Sequence, residues 1–172
     1  MIQKKVCMLG ASAVGKTSLV KQFVEGIFSD KYLTSIGVKV DKKRVVLAED
    51  TVQLMLWDIE GVDRYSGFNP RYLRGAAAAI IVVDQTRPQS LEDGLEIFRM
   101  TKENGDIPVF LVINKNDLPA SKSWVCPSES DFISSFDASF KTSAKTGDGV
   151  DQMFSEIAQK VIDCKANGLK VE

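Results

Sequence analysis

Eight residues, Gly10-Ala11-Ser12-Ala13-Val14-Gly15-Lys16-Thr17, follow the spacing G-x-x-x-x-G-K-[ST]. That spacing suits a polyphosphate. Glycines let the backbone curl until successive N–H groups, here those of Ser12, Ala13, Val14, Gly15, Lys16, Thr17 and Ser18, converge on one anion. The positive end of a following helix reinforces them. The Lys16 ammonium would reach the β and γ phosphates, which gives it a part in catalysis as well as binding, and the Thr17 hydroxyl would ligate Mg²⁺. Alone, the loop specifies a nucleoside triphosphatase or kinase and leaves the base open.

A second group, Asn114-Lys115-Asn116-Asp117, follows an apolar run at 109–113. An Asp117 carboxylate accepts two parallel hydrogen bonds, from a ring N1–H and an exocyclic amino group. Among the common bases only guanine presents that pair, whereas adenine offers a bare acceptor at N1. Asn114 is placed to tie this loop to the phosphate loop, and the stem of Lys115 to cover one face of the base. Thr142-Ser143-Ala144-Lys145 adds small residues whose N–H groups can approach the guanine O6. The ligand expected is therefore GTP or GDP with Mg²⁺.

Such groups need a scaffold that brings distant loops to one edge. Apolar runs at 6–9, 76–83 and 109–113 read as buried parallel strands. Helical patterns at 17–24, 90–102 and 150–164 lie between and after them; Met153, Ile157, Val161 and Cys164 recur at helical spacing. Residues 36–58 are the exception. There Val38, Val40, Val45 and Leu47 precede Glu49-Asp50 and are answered by Val52, Leu54, Leu56 and Asp58, a hairpin pattern. The expected fold is a three-layer α/β P-loop NTPase, with a sheet of about six strands, mostly parallel with one antiparallel edge strand, and helices on both faces. Both binding loops would then lie at the carboxyl ends of strands, where open α/β sheets bind ligands.

The chain has 172 residues, enough for one domain over 1–172, and shows no repeat or linker. Lys and Arg number 22 against 23 Asp and Glu, so no global field would draw nucleic acid or an anionic membrane, and any anion site must be local. Cys7, Cys126 and Cys164 stand at no metal-like spacing and histidine is absent, which argues against a disulfide framework and a zinc site. A cytoplasmic chain, monomeric on its own, is expected. No apolar run approaches a membrane span, and neither a myristoylation glycine nor a prenylation cysteine is visible.

With these motifs in order, the sequence resembles the Ras superfamily of small GTPases, and within it the Rab branch and its Rab-like relatives in bacteria. The resemblance runs from about residue 4 to 161. It is carried by the phosphate loop, Tyr32-Leu33-Thr34-Ser35-Ile36-Gly37-Val38, Trp57-Asp58-Ile59-Glu60-Gly61, Asn114 to Asp117 and Ser143-Ala144-Lys145. Tyr72-Leu73-Arg74-Gly75-Ala76 and Val83-Asp84-Gln85-Thr86 are further echoes of Rab proteins. The resemblance implies that Phe28 lies edge-on to the guanine, that Asp58 holds magnesium through a water, and that the Gly61 N–H senses the γ-phosphate. It also implies two switch segments near 30–40 and 60–74, ordered by GTP and released by GDP. Effectors, exchange factors and GTPase-activating proteins would bind there.

The chain departs from that pattern where hydrolysis is concerned. Val62 stands at the catalytic position, after Gly61, where the family usually has a glutamine that orients the attacking water. Glu60 fills a place that is normally a small Ala. Ser35 aligns with the switch threonine whose hydroxyl completes the magnesium shell; it keeps the oxygen but loses the methyl that helps fix the rotamer. Thr34 is adjacent, and a one-residue shift would substitute it. Two functions follow: a molecular switch with slow hydrolysis, or a GTP-held binding module that hydrolyses negligibly. A metabolic P-loop kinase would need an acceptor pocket and an Arg-rich lid, which the sequence lacks.

Overall fold

The computed structural model describes residues 1–29, 37–61, 69–125 and 133–169. In chain order the elements are β1 (Ile2–Gly10), α1 (Lys16–Glu25), β2 (Val38–Val46), β3 (Thr51–Ile59), β4 (Ala76–Asp84), α2 (Pro88–Glu103), β5 (Val109–Asn114), β6 (Ala138–Lys141) and α3 (Val150–Leu169). Short 3-10 turns at Pro70–Leu73 and Ile133–Ser135 precede β4 and β6. The strands form one sheet in the order β2-β3-β1-β4-β5-β6. Only the β2–β3 hairpin is antiparallel, from Val38 opposite Ile59 to Val46 opposite Thr51; the other four pairings are parallel. The α/β class expected from the sequence is the one observed.

Successive side chains of a strand point to opposite faces, and here that divides the core in two. On one face Val6, Met8, Leu54, Leu56, Ile80, Val82, Phe110 and Val112 pack against α1 and α3 through Leu19, Phe23, Met153, Phe154 and Ile157. Phe23 stacks on Phe154 with ring centroids 4.1 Å apart, joining the two helices. On the other face Cys7, Leu9, Ile81, Val83, Leu111 and Ile113 pack under α2 through Ile97. Helix α2 comes close at Gly94, where a Cβ would lie 2.8 Å from Val83 Cγ1. Cys7 belongs to this core: its thiol donates to the Tyr72 carbonyl (3.2 Å), and burial pushes it up to about 11. Cys164 is exposed on α3, and Cys126 lies outside the described residues.

Two boundaries differ from the sequence reading. β1 begins at Ile2, not near residue 6, because Ile2 to Lys5 pair in register with Val52 to Met55 although their side chains are exposed or only half-buried. Helix α2 begins at Pro88, whose fixed φ suits a first helical position. Ser90 Oγ locks that start, accepting from the Asp84 N–H and lying within hydrogen-bond distance of the Asp84 and Arg87 carbonyls. The carboxyl ends of β1, β4 and β5, at Gly10, Asp84 and Asn114, are neighbours across the sheet and form the rim on which the loops meet. Among the described residues no helix is long and apolar enough to cross a membrane.

Candidate functional site

The phosphate loop leaves β1 at Gly10 and enters α1 at Lys16. Its glycines are required by space as well as by backbone angle. A Cβ on Gly10 (φ +145°) would stand 2.5 Å from the Val82 carbonyl oxygen, and one on Gly15 (φ +102°) would stand 2.2 Å from Asn114 Nδ2. Between them Ala13 takes a left-handed φ of +61°, a conformation that costs a residue with a Cβ about 1–2 kcal/mol. A curled loop with alternating backbone hand is the form in which N–H groups line an anion cradle. Side chains from other strand ends hold the outer carbonyls of this loop: Asn114 Nδ2 donates to Val14 O at 3.0 Å, Lys115 Nζ to Ala13 O at 3.1 Å, and Arg87 Nη2 to Ser12 O at 2.6 Å.

Lys16 lies inside the loop, 5% exposed, with Nζ donating to Ala11 O at 2.8 Å and Gly10 O at 3.3 Å. Burial pulls its ammonium down to about 8; the charge of Asp58 opposes that shift and the charge of Arg87 adds to it. A phosphate at the mouth of the loop would restore the charged form by the same Coulombic logic. The Thr17 hydroxyl donates to Asp58 Oδ2 at 2.5 Å, and Asp58 is buried near the end of β3. Gly61 packs directly on the loop, since a Cβ there would fall 2.5 Å from Ser12 Cα.

The loop expected to read a base is organised by one buried amide. Besides reaching Val14, Asn114 accepts at Oδ1 from the Thr142 hydroxyl (3.1 Å) and from the Ala144 N–H (3.2 Å). The Ser143 hydroxyl donates to Asp117 Oδ1 at 2.7 Å and accepts from the Thr146 N–H at 3.1 Å, which orients the carboxylate. Next to these groups is a cleft of about 190 Å³, with Gly15 and Ser18 on the side of the 10–17 loop and Phe28, Lys115, Asp117 and Lys145 around it. Phe28 is 36% exposed, so it stands at a cleft wall and not in the core. One detail differs from expectation: the Ala144 N–H, expected to face guanine O6, is already engaged by Asn114 and would have to be shared with a base.

Two expected positions, Ser35 and Val62, lie outside the described residues, as do Tyr32, Thr34 and Ile36. The flanks of the two segments do meet. The Glu60 N–H donates to Gly37 O at 2.8 Å, and the Gly37 N–H to Glu60 Oε2 at 3.4 Å. Among the described residues no three His, Cys, Asp or Glu side chains cluster in a way that could hold a metal. A magnesium ion is still compatible with the donors present, a Thr17 hydroxyl beside a buried Asp58 carboxylate at the open end of a phosphate cradle, because Mg²⁺ takes few protein ligands and completes its shell with water and phosphate.

Sequence reasoning quoted Asp84 without giving it a role and passed over Arg87. Asp84 closes β4 and is fully buried. Oδ1 accepts from the Thr86 N–H (2.8 Å) and hydroxyl (2.7 Å); Oδ2 pairs with Lys115 Nζ at 2.9 Å and Arg87 Nε at 3.3 Å. Burial alone would raise this carboxyl, but hydrogen bonds from Thr86 and Lys115 outweigh it and hold it below the ordinary range. The signal was there to read, as a carboxylate ending a strand of eight apolar residues must find partners.

The sequence model of the Ras family matches residues 5–163. The Ras-related protein Rab-5A of Dictyostelium discoideum is 36% identical over 164 residues, covering 94% of this chain and 82% of that protein. The Ras-related protein Rab-22A of Mus musculus is 32% identical over 166 residues, 95% of this chain and 86% of its own length. The GTP-binding protein ypt5 of Schizosaccharomyces pombe is 36% identical over 168 residues, 93% and 78% of the two chains. A match this long, on a fold and a loop geometry of this kind, makes the chain a member of the Ras family, with Rab proteins among its relatives.

Proposed function

We propose that this protein is a guanine-nucleotide switch that binds GTP or GDP with Mg²⁺, hydrolyses GTP slowly and presents its segments near 30–40 and 60–74 to effector, exchange-factor and activating proteins. Family membership supports GTP binding and GTPase activity in general. The observation that carries the reading is the Asn114 junction. One amide, 1% exposed, bonds the loop at Val14 and the segment at Thr142 and Ala144, which supports reading the two as halves of one nucleotide site.

Each residue then has a defined task. Loop N–H groups and Lys16 would bind the phosphates, Thr17 and Asp58 would hold the ion, and the Gly61 N–H would serve the terminal phosphate. Asp117, oriented by Ser143, reads the guanine edge, while Phe28 and the Lys115 stem cover the ring. GTP would bring the scissile γ-phosphoryl group, whose developing charge the ion, when bound, would help neutralise together with the Lys16 ammonium. Val62 has no hydrogen-bonding group with which to orient a water, so the chain itself contributes little to activating the nucleophile.

Single-turnover hydrolysis of wild type and Val62→Gln at equal nucleotide occupancy tests this. Wild type is expected at or below about 3–5 × 10⁻⁴ s⁻¹, the range of unassisted Ras, with a faster mutant. A much faster wild type, or no gain from glutamine, would show that another residue positions the water. The same valine favours a second reading, a GTP-held binding module with negligible hydrolysis. Cell extract separates the two: acceleration of the wild type marks a switch completed by a partner, and an unchanged rate marks the module.

A further inference from the structure

In a trans peptide the C=O of one residue and the N–H of the next point in opposite directions. Holding a carbonyl outward therefore aims the following N–H inward. Three consecutive phosphate-loop carbonyls are held this way: Val14 by Asn114, Ala13 by Lys115, and Ser12 by Arg87. The first two donors belong to the base-reading loop. Arg87 belongs to none of the motifs that identify the site; it precedes Pro88 at the start of α2.

We infer that Arg87 is a positioning residue of the phosphate site, holding the Ser12–Ala13 peptide with the Ala13 N–H turned into the loop toward the phosphates farthest from the base. The inference rests on the nucleotide-binding reading above and adds a residue to it. The guanidinium is itself oriented. Its Nε faces Asp84 Oδ2 at 3.3 Å while Nη2 grips Ser12 O at 2.6 Å, and the same buried Asp84 oxygen pairs with Lys115 Nζ at 2.9 Å. One fixed carboxylate thus sets both cations that hold adjacent loop carbonyls.

The Ser12–Ala13 peptide is the one with an internal reason to turn over. Ala13 has a Cβ and a φ of +61°. A half-turn of the peptide before it would move that φ to the negative, extended side, where alanine is unstrained. The same half-turn would point the Ala13 N–H away and the Ser12 carbonyl oxygen toward the anion. Gly15, the next left-handed residue, has no such drive. The consequence is confined to one end of the ligand. Gly15 and Ser18 line the base cleft, whereas Ser12 packs against Gly61 at the opposite end of the loop. Ala13 therefore serves the distal phosphates, not the one attached to the ribose.

The test is displacement of a fluorescent GDP analogue, with Mg²⁺ present, by unlabelled GDP or GMP. Arg87→Ala should weaken GDP about tenfold, the scale of one charged hydrogen bond, and leave GMP within about twofold because GMP lacks the distal phosphate. Arg87→Lys should recover part of the GDP affinity by restoring a donor to Ser12 O. In an Ala13→Gly background the loss from Arg87→Ala should shrink to under about threefold, because glycine gains nothing from the flip. Equal losses for GDP and GMP would mean general loosening and overturn the assignment. So would an undiminished loss in the glycine background, or no loss at all. A wild type that bound neither nucleotide would overturn the nucleotide-binding reading itself, an outcome distinguishable from all of these.

Discussion

Asn114→Ala removes the side chain that joins the two halves of the site, and its cost follows from three bonds. The amide donates to Val14 O and accepts from Thr142 and Ala144, at 3.0, 3.1 and 3.2 Å, in a position 1% exposed. At about 0.5–1.5 kcal/mol net for each bond, and more where a buried group is left unsatisfied, the loss is about 2–4 kcal/mol. In a domain of this size each kcal/mol moves Tm by about 2–4 °C, so the mutant should melt about 4–16 °C lower. Of these three bonds only the one to Val14 spans the two loops, and losing its ~1–2 kcal/mol should speed GDP release about 5- to 30-fold. Thr142→Val is the control, since it deletes a bond on the base side and leaves the bridge. It should lower Tm by a few degrees and keep GDP release within about threefold of wild type. Differential scanning fluorimetry and stopped-flow release of a fluorescent GDP analogue give both quantities. If Asn114→Ala released GDP no faster than Thr142→Val, the bridge would not be what grips the nucleotide.

Asp117→Asn replaces a carboxylate oxygen with an amide donor that matches the C2 carbonyl of xanthine, so competition binding should show the preference for GDP over XDP falling by an order of magnitude or more; an unchanged preference removes Asp117 as base reader. Gly94→Ala gains about 1 kcal/mol of helix propensity but places a Cβ 2.8 Å from Val83 Cγ1 and 3.2 Å from Ile81 Cγ2, where overpacking costs about 1–3 kcal/mol. Tm should therefore fall, and a rise would show that α2 can move off the sheet. Because the Asp84 carboxyl is held below its unfolded value, the stability it contributes is fully present above the unfolded pKa of about 3.9 and is lost as pH falls through the folded value. Asp84→Asn should accordingly lower Tm at pH 7 and flatten the decline of Tm below about pH 4; parallel Tm–pH curves for mutant and wild type would refute this.

How much of this molecule could be read in advance depended on how far apart in sequence its contacts lie. The phosphate loop was legible because its chemistry is local: strand, glycines, lysine and helix start fall within residues 6–24, and each constrains the next. The strands β4 and β5 were legible because burial on both faces leaves a continuous apolar run. The start of β1 was not, because Ile2 to Lys5 owe their strand form to pairing with β3, about 50 residues away, and not to apolar pattern. Asn114 was expected at the phosphate loop only because a motif suggested it, and its carbonyl partner Val14 lies 100 residues earlier.

Asp84 and Arg87 mark the limit of that reading, and the reason is energetic. A carboxylate at the end of a buried strand is costly unless charged donors meet it, so its presence implies partners, yet many cations in the chain could have served. What selects Lys115 and Arg87 is the sheet order. Placing β1 beside β4 and β4 beside β5 puts the residues after Asp84 between the phosphate loop and the base-reading loop. From there a cation attracted to Asp84 is within reach of a loop carbonyl: Lys115 touches Ala13, and Arg87 touches Ser12. Charge neutralisation and peptide orientation are thus one interaction, in which a buried acid, stabilised by its cations, aims the N–H groups on which an anion site depends.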